Sequence, residues 1–112
     1  MTSNATYENI LNELRRGVIV IGVLSQLEEQ QYGYSLLKRL SEQGLELDQG
    51  TLYPLLRRLE AQGLLSSDWN TEGSRPRRYY VISQEGQKLL PRLKDEWNAI
   101  VSMMNRILEK AK

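Results

Sequence analysis

The chain has 112 residues, enough for one small domain or for one domain with an appended element. It contains no cysteine and no histidine, which excludes disulfides and thiolate metal sites and removes the side chain most used in general acid–base catalysis. The formal net charge is only +1 and the sequence has no strongly basic tail, so charge alone does not indicate a nucleic-acid partner. We therefore expect no enzymatic activity, no cofactor and no metal site.

The first predicted element is a helix over about residues 7 to 29, in which apolar residues recur at steps of three or four. Within it, the run "GVIVIGVL" (17–24) has eight residues. Such a run is too short to cross a membrane, and it has no cleavable-signal context. We expect a cytoplasmic protein with no membrane partner.

A second, shorter helix is predicted after the interruption "QQYGYS" (30–35), with Gly44 as its end. A third helix has its core stripe at Leu52, Leu55, Leu56 and Leu59. Since proline is tolerated at the start of a helix, Pro54 predicts that this third helix begins near residue 50 or 51.

The outward face of the third helix is small at its head and basic in its middle. The positions opposite the leucines, at 100° per residue, are Gly50, Pro54, Arg57 and Ala61, and the flanking positions are Tyr53 and Arg58. Such a face would let another backbone approach closely. Taken alone, however, Gly50 and Pro54 could be ordinary helix-start residues.

After Gly63 the apolar period changes from about 3.6 to 2, which predicts a β-hairpin. Residues 65 to 69 and 78 to 82 alternate between apolar and polar, and "NTEGSRPR" (70–77) is rich in turn-forming residues. Arg75, Arg77 and Arg78 lie at the predicted tip and on the returning strand.

The last predicted helix begins after Ser83, which is a good N-cap, and runs to the end of the chain. Its apolar positions are spaced alternately by three and four residues, as in a heptad seam. They are Leu90, Leu93, Trp97, Ile100, Met104, Ile107 and Ala111. Pro91, about two turns into this helix, predicts a kink or a restart of the helix there.

Three helices followed by a two-stranded hairpin describe a mainly α winged helix-turn-helix, here residues 1–82, with residues 83–112 as a long C-terminal dimerisation helix. In that design the helix after the turn enters the DNA major groove and the hairpin, called the wing, touches the backbone or minor groove. Winged-helix architecture also serves protein–protein contacts, so an adaptor without DNA binding is the alternative.

Three stretches of the sequence resemble the signature blocks of the PadR family of bacterial transcriptional regulators. They are "YGYSLLKRL" (32–40), "GTLYPLLRRLEAQGLL" (50–65) and "GSRPRRYYVISQEG" (73–86). The resemblance covers nearly the whole chain. It implies a homodimeric repressor that binds a palindromic operator in double-stranded DNA and is released by a small effector.

The resemblance and the helix geometry together assign candidate residues. The family's recognition-helix motif matches Thr51, Tyr53 and Pro54, its wing matches the three arginines, and the tyrosine of its preceding helix matches Tyr34. The full set of expected DNA-binding residues is Tyr34, Gln49, Gly50, Thr51, Tyr53, Pro54, Arg57, Arg58, Arg75, Arg77 and Arg78.

The heptad seam predicts an obligate dimer, with the expected interface at Leu90, Leu93, Trp97, Ile100, Met104 and Ile107. The alternative is that this helix packs back on its own domain. Two facing copies of Trp97, with Val101, could also form a slot for a planar aromatic effector, as in some members of the resembled family. Structural packing of Trp97 without a ligand is the other interpretation.

Overall fold

The computed structural model describes residues 3–109 and contains four helices and a three-stranded antiparallel sheet. In chain order the elements are α1 (Asn4–Gln26), β1 (Gln31–Tyr32), α2 (Gly33–Glu42), α3 (Gln49–Ala61), β2 (Leu65–Asn70), β3 (Arg77–Ile82) and α4 (Gln84–Glu109). This is the mainly helical winged-helix class that the sequence predicts. The terminal residues of the predicted dimerisation helix, 110–112 with Ala111, lie outside the described residues.

The start of α3 is set by a side-chain cap. Asp48 is the N-cap, and its Oδ1 accepts a hydrogen bond from the Thr51 N–H at 2.7 Å. This satisfies one of the free amide groups at the helix start. Pro54 falls in the second turn of α3 without ending the helix. Proline has no N–H and cannot donate to the carbonyl four residues earlier, which here belongs to the exposed Gly50.

The core forms where the second half of α1 meets α2, α3 and the sheet. Its buried members are Val23, Leu24, Leu27, Leu36, Leu40, Leu52, Leu56, Leu59, Leu65, Tyr80, Ile82 and Leu90. Three leucines of the predicted α3 stripe are buried, and Leu55 is half-buried against the core. Burying a large apolar side chain stabilises the fold by about 1.5–3 kcal/mol, which holds the inner side of α3 against the body.

The sheet has the strand order β1-β3-β2, so the wing strand β3 lies in the centre. In β1, Gln31 pairs with Tyr80 and Tyr32 pairs with Tyr79. Gln31 is buried, and its side-chain amide donates a hydrogen bond to the carbonyl of Gln26 at the end of α1. Strand β1 is not predictable from the sequence pattern, because two residues are too few to produce an alternation.

The start of α4 is locked against the hairpin. Ser83 Oγ accepts a hydrogen bond from the Gly86 N–H at 3.1 Å and donates one to the Gly63 carbonyl at 2.6 Å. A Cβ on Gly86 would overlap the Leu64 carbonyl and the side chain of Ile82, so the helix approaches the hairpin more closely than any other residue would permit. The helix is assigned without interruption from Gln84 to Glu109, so the predicted restart at Pro91 is not present.

The first two turns of α4 pack in the same core as the other elements of the chain. Leu90, which we expected at the dimer interface, is only 4% exposed and packs in that core, and Leu93 is half-buried against it. The expectation for Leu90 is corrected for a physical reason: a heptad pattern records which residues are buried, but not whether the covering surface belongs to the same chain. Every residue from Lys94 to Glu109 is exposed.

Among residues 3–109, no helix is both long enough and apolar enough to cross a membrane.

Candidate nucleic-acid interface

The outward face of α3 is open to a partner along its whole length. Its exposed members are Gln49, Gly50, Thr51, Pro54, Arg57 and Arg58. A Cβ built on Gly50 would meet only Asp48 Oδ1, at 3.4 Å, which is ordinary van der Waals contact. The packing of the protein itself therefore does not require glycine at this position.

Tyr53 leans from the same face of α3 toward the start of α2. A Cβ on Gly33 would overlap the Tyr53 ring, so the absence of a side chain at Gly33 makes room for that ring. Tyr53 is half-buried, whereas Tyr34, one residue after Gly33, is exposed. The structure thus brings these two predicted residues to one side of the molecule.

The wing presents two exposed arginines at and beside its tip. Arg75 lies in the turn and Arg77 at the start of β3. The Arg77 guanidinium carbon lies 4.5 Å from the centre of the Tyr32 ring, within cation–π range, and that ring contacts Tyr79 edge-on at 5.5 Å. Tyr32, on the missed strand β1, therefore holds the wing arginine beside α2.

Arg78, the third predicted wing arginine, is half-buried and paired with groups of the protein itself. Its Nη2 lies 2.7 Å from Glu60 Oε1, and its Nε donates a hydrogen bond to Ser67 Oγ at 3.0 Å. Ser67 in turn donates to Glu60 Oε2 at 2.6 Å. This three-residue cluster, the Glu60 cluster, ties α3 to both strands of the wing.

The sequence analysis missed Glu60 and Ser67. The available signal was strand alternation, which places Ser67 and Arg78 on the same face of the hairpin as buried Leu65 and Tyr80. Burial raises the pKa of the Tyr80 hydroxyl above its ordinary value of 10.0, with Arg78 opposing the rise. Tyr80 is therefore neutral at physiological pH and contributes no charge to this face.

Two cavities flank the outward face of α3, one on each side. One, of about 300 Å³, lies between α2, α3 and the wing and is lined by Tyr53 and Arg57 among others; we call it the wing pocket. The other, of about 270 Å³, lies between α3 and α1 and is lined by Thr51, Pro54 and Arg58. The predicted α3 residues thus form one continuous face with a depression on either side.

A separate apolar surface lies on the distal half of α4. Its exposed large side chains are Trp97, Ile100, Val101, Met103, Met104, Ile107 and Leu108. Trp97 borders a cavity of about 350 Å³ against α1 and the α2–α3 loop, lined also by Val18, Ile21 and Leu45. Tyr7, Ile10 and Leu14, on the first part of α1, are exposed as well.

The element order, the sheet topology and the open outer face of α3 define a winged helix-turn-helix protein with an added long C-terminal helix. Residues 20–92 match the Transcriptional regulator PadR-like family, and the chain belongs to that family. The family is one of transcriptional regulators.

Individual relatives agree with this assignment. The chain is 35% identical over 81 residues to Transcriptional regulator Rv3488 of Mycobacterium tuberculosis, which covers 71% of this chain and 76% of that protein. A PadR family transcriptional regulator from Eggerthella lenta superposes with a TM-score of 0.86 at 45% identity, covering 92% of each chain. A transcriptional regulator from Clostridium thermocellum superposes with a TM-score of 0.77 at 30% identity, covering 84% of this chain and 96% of the other.

Proposed function

We propose that this protein is a homodimeric, DNA-binding repressor that acts in the cytoplasm and is released from a palindromic operator by a small planar aromatic effector. The main observation in favour of DNA binding is that Gly50 is exposed and has room for a side chain. Glycine stands at the head of an exposed recognition helix although nothing in the protein's own packing requires it. Glycine at this position is explained if the backbone of another molecule, such as DNA, approaches α3 closely there.

The chemistry of the face suits duplex DNA. The free amide groups at the start of α3 and the partial positive charge of the helix N-terminus attract phosphate oxygens. Arg57 and Arg58 lie further along the helix, where arginine reaches base edges or phosphates. Arg75 and Arg77 extend the positive charge to the wing, where arginine suits phosphate contacts or insertion into the minor groove.

Two subunits are proposed because the distal half of α4 exposes too much apolar surface for an isolated chain. Seven large apolar side chains between Trp97 and Leu108 are exposed, and three more are exposed on α1. Patches of this kind mark association surfaces. We assign dimerisation to residues 94–109, packed against the partner's α4 and α1, with Leu93 at the edge of the contact.

A two-fold dimer matches a palindromic operator. The two copies of α3 would enter successive major grooves, with half-site centres roughly 34 Å apart or a multiple of that distance. We place the effector beside Trp97 and Val101, because an aromatic slot at the dimer centre could change the separation of the two recognition helices. The support is the cavity beside Trp97 and the exposure of Val101.

The deciding experiment is fluorescence anisotropy with two labelled duplexes, one of random sequence and one from the protein's own upstream intergenic DNA, over a salt series. A dimer making six or more phosphate contacts should lose affinity with a log–log slope of about −5. We expect that slope on both duplexes and tighter binding to the upstream fragment. If neither duplex binds even in dilute salt, the protein is an adaptor and its wing arginines serve a protein contact.

A further inference from the structure

The wing pocket has walls that are unusually rich in aromatic rings for a surface that contacts duplex DNA. Five aromatic side chains line it, namely Tyr32, Tyr34, Tyr53, Trp69 and Tyr80. The rings of Tyr32 and Tyr34 lie nearly parallel, at 20° and with centres 6.5 Å apart. Trp69 is 63% exposed although it lies on a strand, so its own chain leaves much of this large ring uncovered.

Duplex DNA gives these rings little to contact. In a double helix the bases are stacked on one another and show only their edges in the grooves, and the outer surface is phosphate and sugar. A free planar molecule, in contrast, offers its face for stacking, and stacking on aromatic side chains is one of the stronger contacts available to such a molecule. The aromatic lining therefore fits a planar ligand better than it fits the duplex.

The charge of the wing pocket is positive and largely uncompensated. Arg57, Arg77 and Arg78 line it, and no aspartate or glutamate does. Arg78 is neutralised by Glu60, whereas Arg57 and Arg77 form no ion pair within residues 3–109. Two guanidinium groups at the wall of an aromatic cavity form the kind of site that receives a carboxylate or a phosphate.

We propose that the wing pocket binds a planar aromatic anion and that this ligand excludes DNA from the same face. The ring would stack on the tyrosines and Trp69 while the anionic group pairs with Arg57 and Arg77. A volume of about 300 Å³ suits one or two fused rings. The exclusion of DNA rests on the proposed function, because it requires that ligand and duplex contact the same residues. These residues are Tyr34, Tyr53, Arg57 and Arg77.

This site is distinct from the effector slot proposed on α4. No residue of α4 lines the wing pocket, and no residue of the wing pocket lines the cavity beside Trp97. A ligand in the wing pocket competes with DNA directly, whereas a ligand beside Trp97 would act by moving the subunits. The two tryptophans, one at each site, make the two possibilities separable by single substitutions.

The test begins with calorimetry on the full-length protein without DNA. The probes are 2-naphthoate, an aromatic carboxylate, and adenosine monophosphate, a nucleotide; whichever binds identifies the source of the aromatic anion. The controls are cyclohexanecarboxylate, which has the charge without the aromatic ring, and 2-naphthamide, which has the ring without the charge. We expect at least one probe to bind tenfold or more tightly than both controls. Equal or absent binding of probes and controls would overturn the proposal.

Two variants then locate the site. Trp69→Thr keeps a β-favouring residue on the exposed edge strand β2 and should weaken probe binding about tenfold or more. The control is Arg39→Ala, since Arg39 lies outside both the wing pocket and the cavity beside Trp97, and it should leave probe binding unchanged. Trp97→Leu tests the second cavity: binding lost in Trp97→Leu and kept in Trp69→Thr would assign the ligand to α4 and refute the wing pocket.

Exclusion of DNA is measured separately, with the labelled upstream duplex titrated against protein at increasing probe concentration. The apparent Kd for DNA should rise in proportion to the probe concentration in the wild type and far less in Trp69→Thr. Simultaneous binding of probe and duplex would refute the exclusion. A protein that binds the probe in this pocket but never binds a duplex would refute the proposed DNA-binding function and leave the ligand site intact.

Discussion

Arg78 and Glu60 form the ion pair that joins α3 to the wing. The contact between Nη2 and Oε1 is 2.7 Å, and Ser67 hydrogen-bonds to both partners. Each side chain is about a third exposed, so the pair is neither a freely solvated surface contact nor a fully buried one. The wing's position relative to α3 is therefore set partly by this contact.

Replacing Glu60 should loosen that connection. Glu60→Gln keeps the shape and a hydrogen-bond acceptor but removes the charge, and we expect a loss of about 1 kcal/mol in the free energy of unfolding, allowing for solvent screening. Glu60→Ala should cost more, because it leaves Arg78 and Ser67 without their partner. Chemical denaturation measures both changes. Glu72→Gln, an exposed carboxylate on the same hairpin, is the control; equal stability of Glu60→Gln and Glu72→Gln would contradict the role of the pair.

Gly50→Ala should change the DNA affinity without lowering the stability of the fold. The added methyl group meets no atom closer than 3.4 Å and glycine is a poor helix former, so the thermal stability should stay the same or rise slightly. We expect DNA affinity to fall several-fold, because the methyl group would stand between α3 and the DNA. Thermal denaturation and anisotropy on one preparation provide both values. An alanine variant with unchanged DNA affinity would remove the observation on which the DNA-binding proposal rests.

Arg77→Ala should weaken binding to the random and the upstream duplex by the same factor. A phosphate contact carries no sequence information, so its loss should also reduce the salt slope by about 1 for each subunit. The control is Arg39→Ala, since Arg39 lies on α2 and pairs with Glu29, outside the wing pocket and the α3 face. If Arg77→Ala leaves both affinity and slope at their wild-type values, the wing does not contact DNA.

A charge on the apolar face of α4 should break the dimer. Ile107 is 53% exposed, and Ile107→Glu would bury a carboxylate from each chain at the proposed interface. We expect the dimer dissociation constant to rise a hundredfold or more, as measured by sedimentation velocity over a concentration series. Asn98→Glu adds the same charge nine residues away, on the opposite side of the helix, and should leave the dimer intact. Dissociation by both variants, or by neither, would count against this interface.

Hydrophobic periodicity was sufficient to predict the four helices and the hairpin. Leucine spacing on α3 and alternation in β2 and β3 are direct consequences of one buried face, so they can be read without a partner element. Helix ends were less accurate: α1 ends at Gln26 rather than near residue 29. The strand β1 was missed because its two residues are strand only through their pairing with β3.

The fate of individual side chains was harder to predict than the elements. Leu90 and Ile107 belong to the same heptad seam, yet Leu90 is buried in the core of its own chain and Ile107 is exposed. Arg77 and Arg78 are neighbours in one basic cluster, yet β3 points them to opposite faces, one toward Tyr32 and the other toward Glu60.

The class of this protein and the candidate residues of a DNA-binding face could be predicted from the sequence. Periodicity, turn residues and the signature blocks are local properties that each segment carries alone. The folded chain was needed to show that Arg78 is paired with Glu60, that Leu90 is buried in the core, and that five aromatic rings from α2, α3 and the sheet meet in one cavity. The physical reason is that ion pairing, burial and cavities depend on atoms brought together from distant positions in the chain, such as Glu60 and Arg78, and no local pattern encodes their distance.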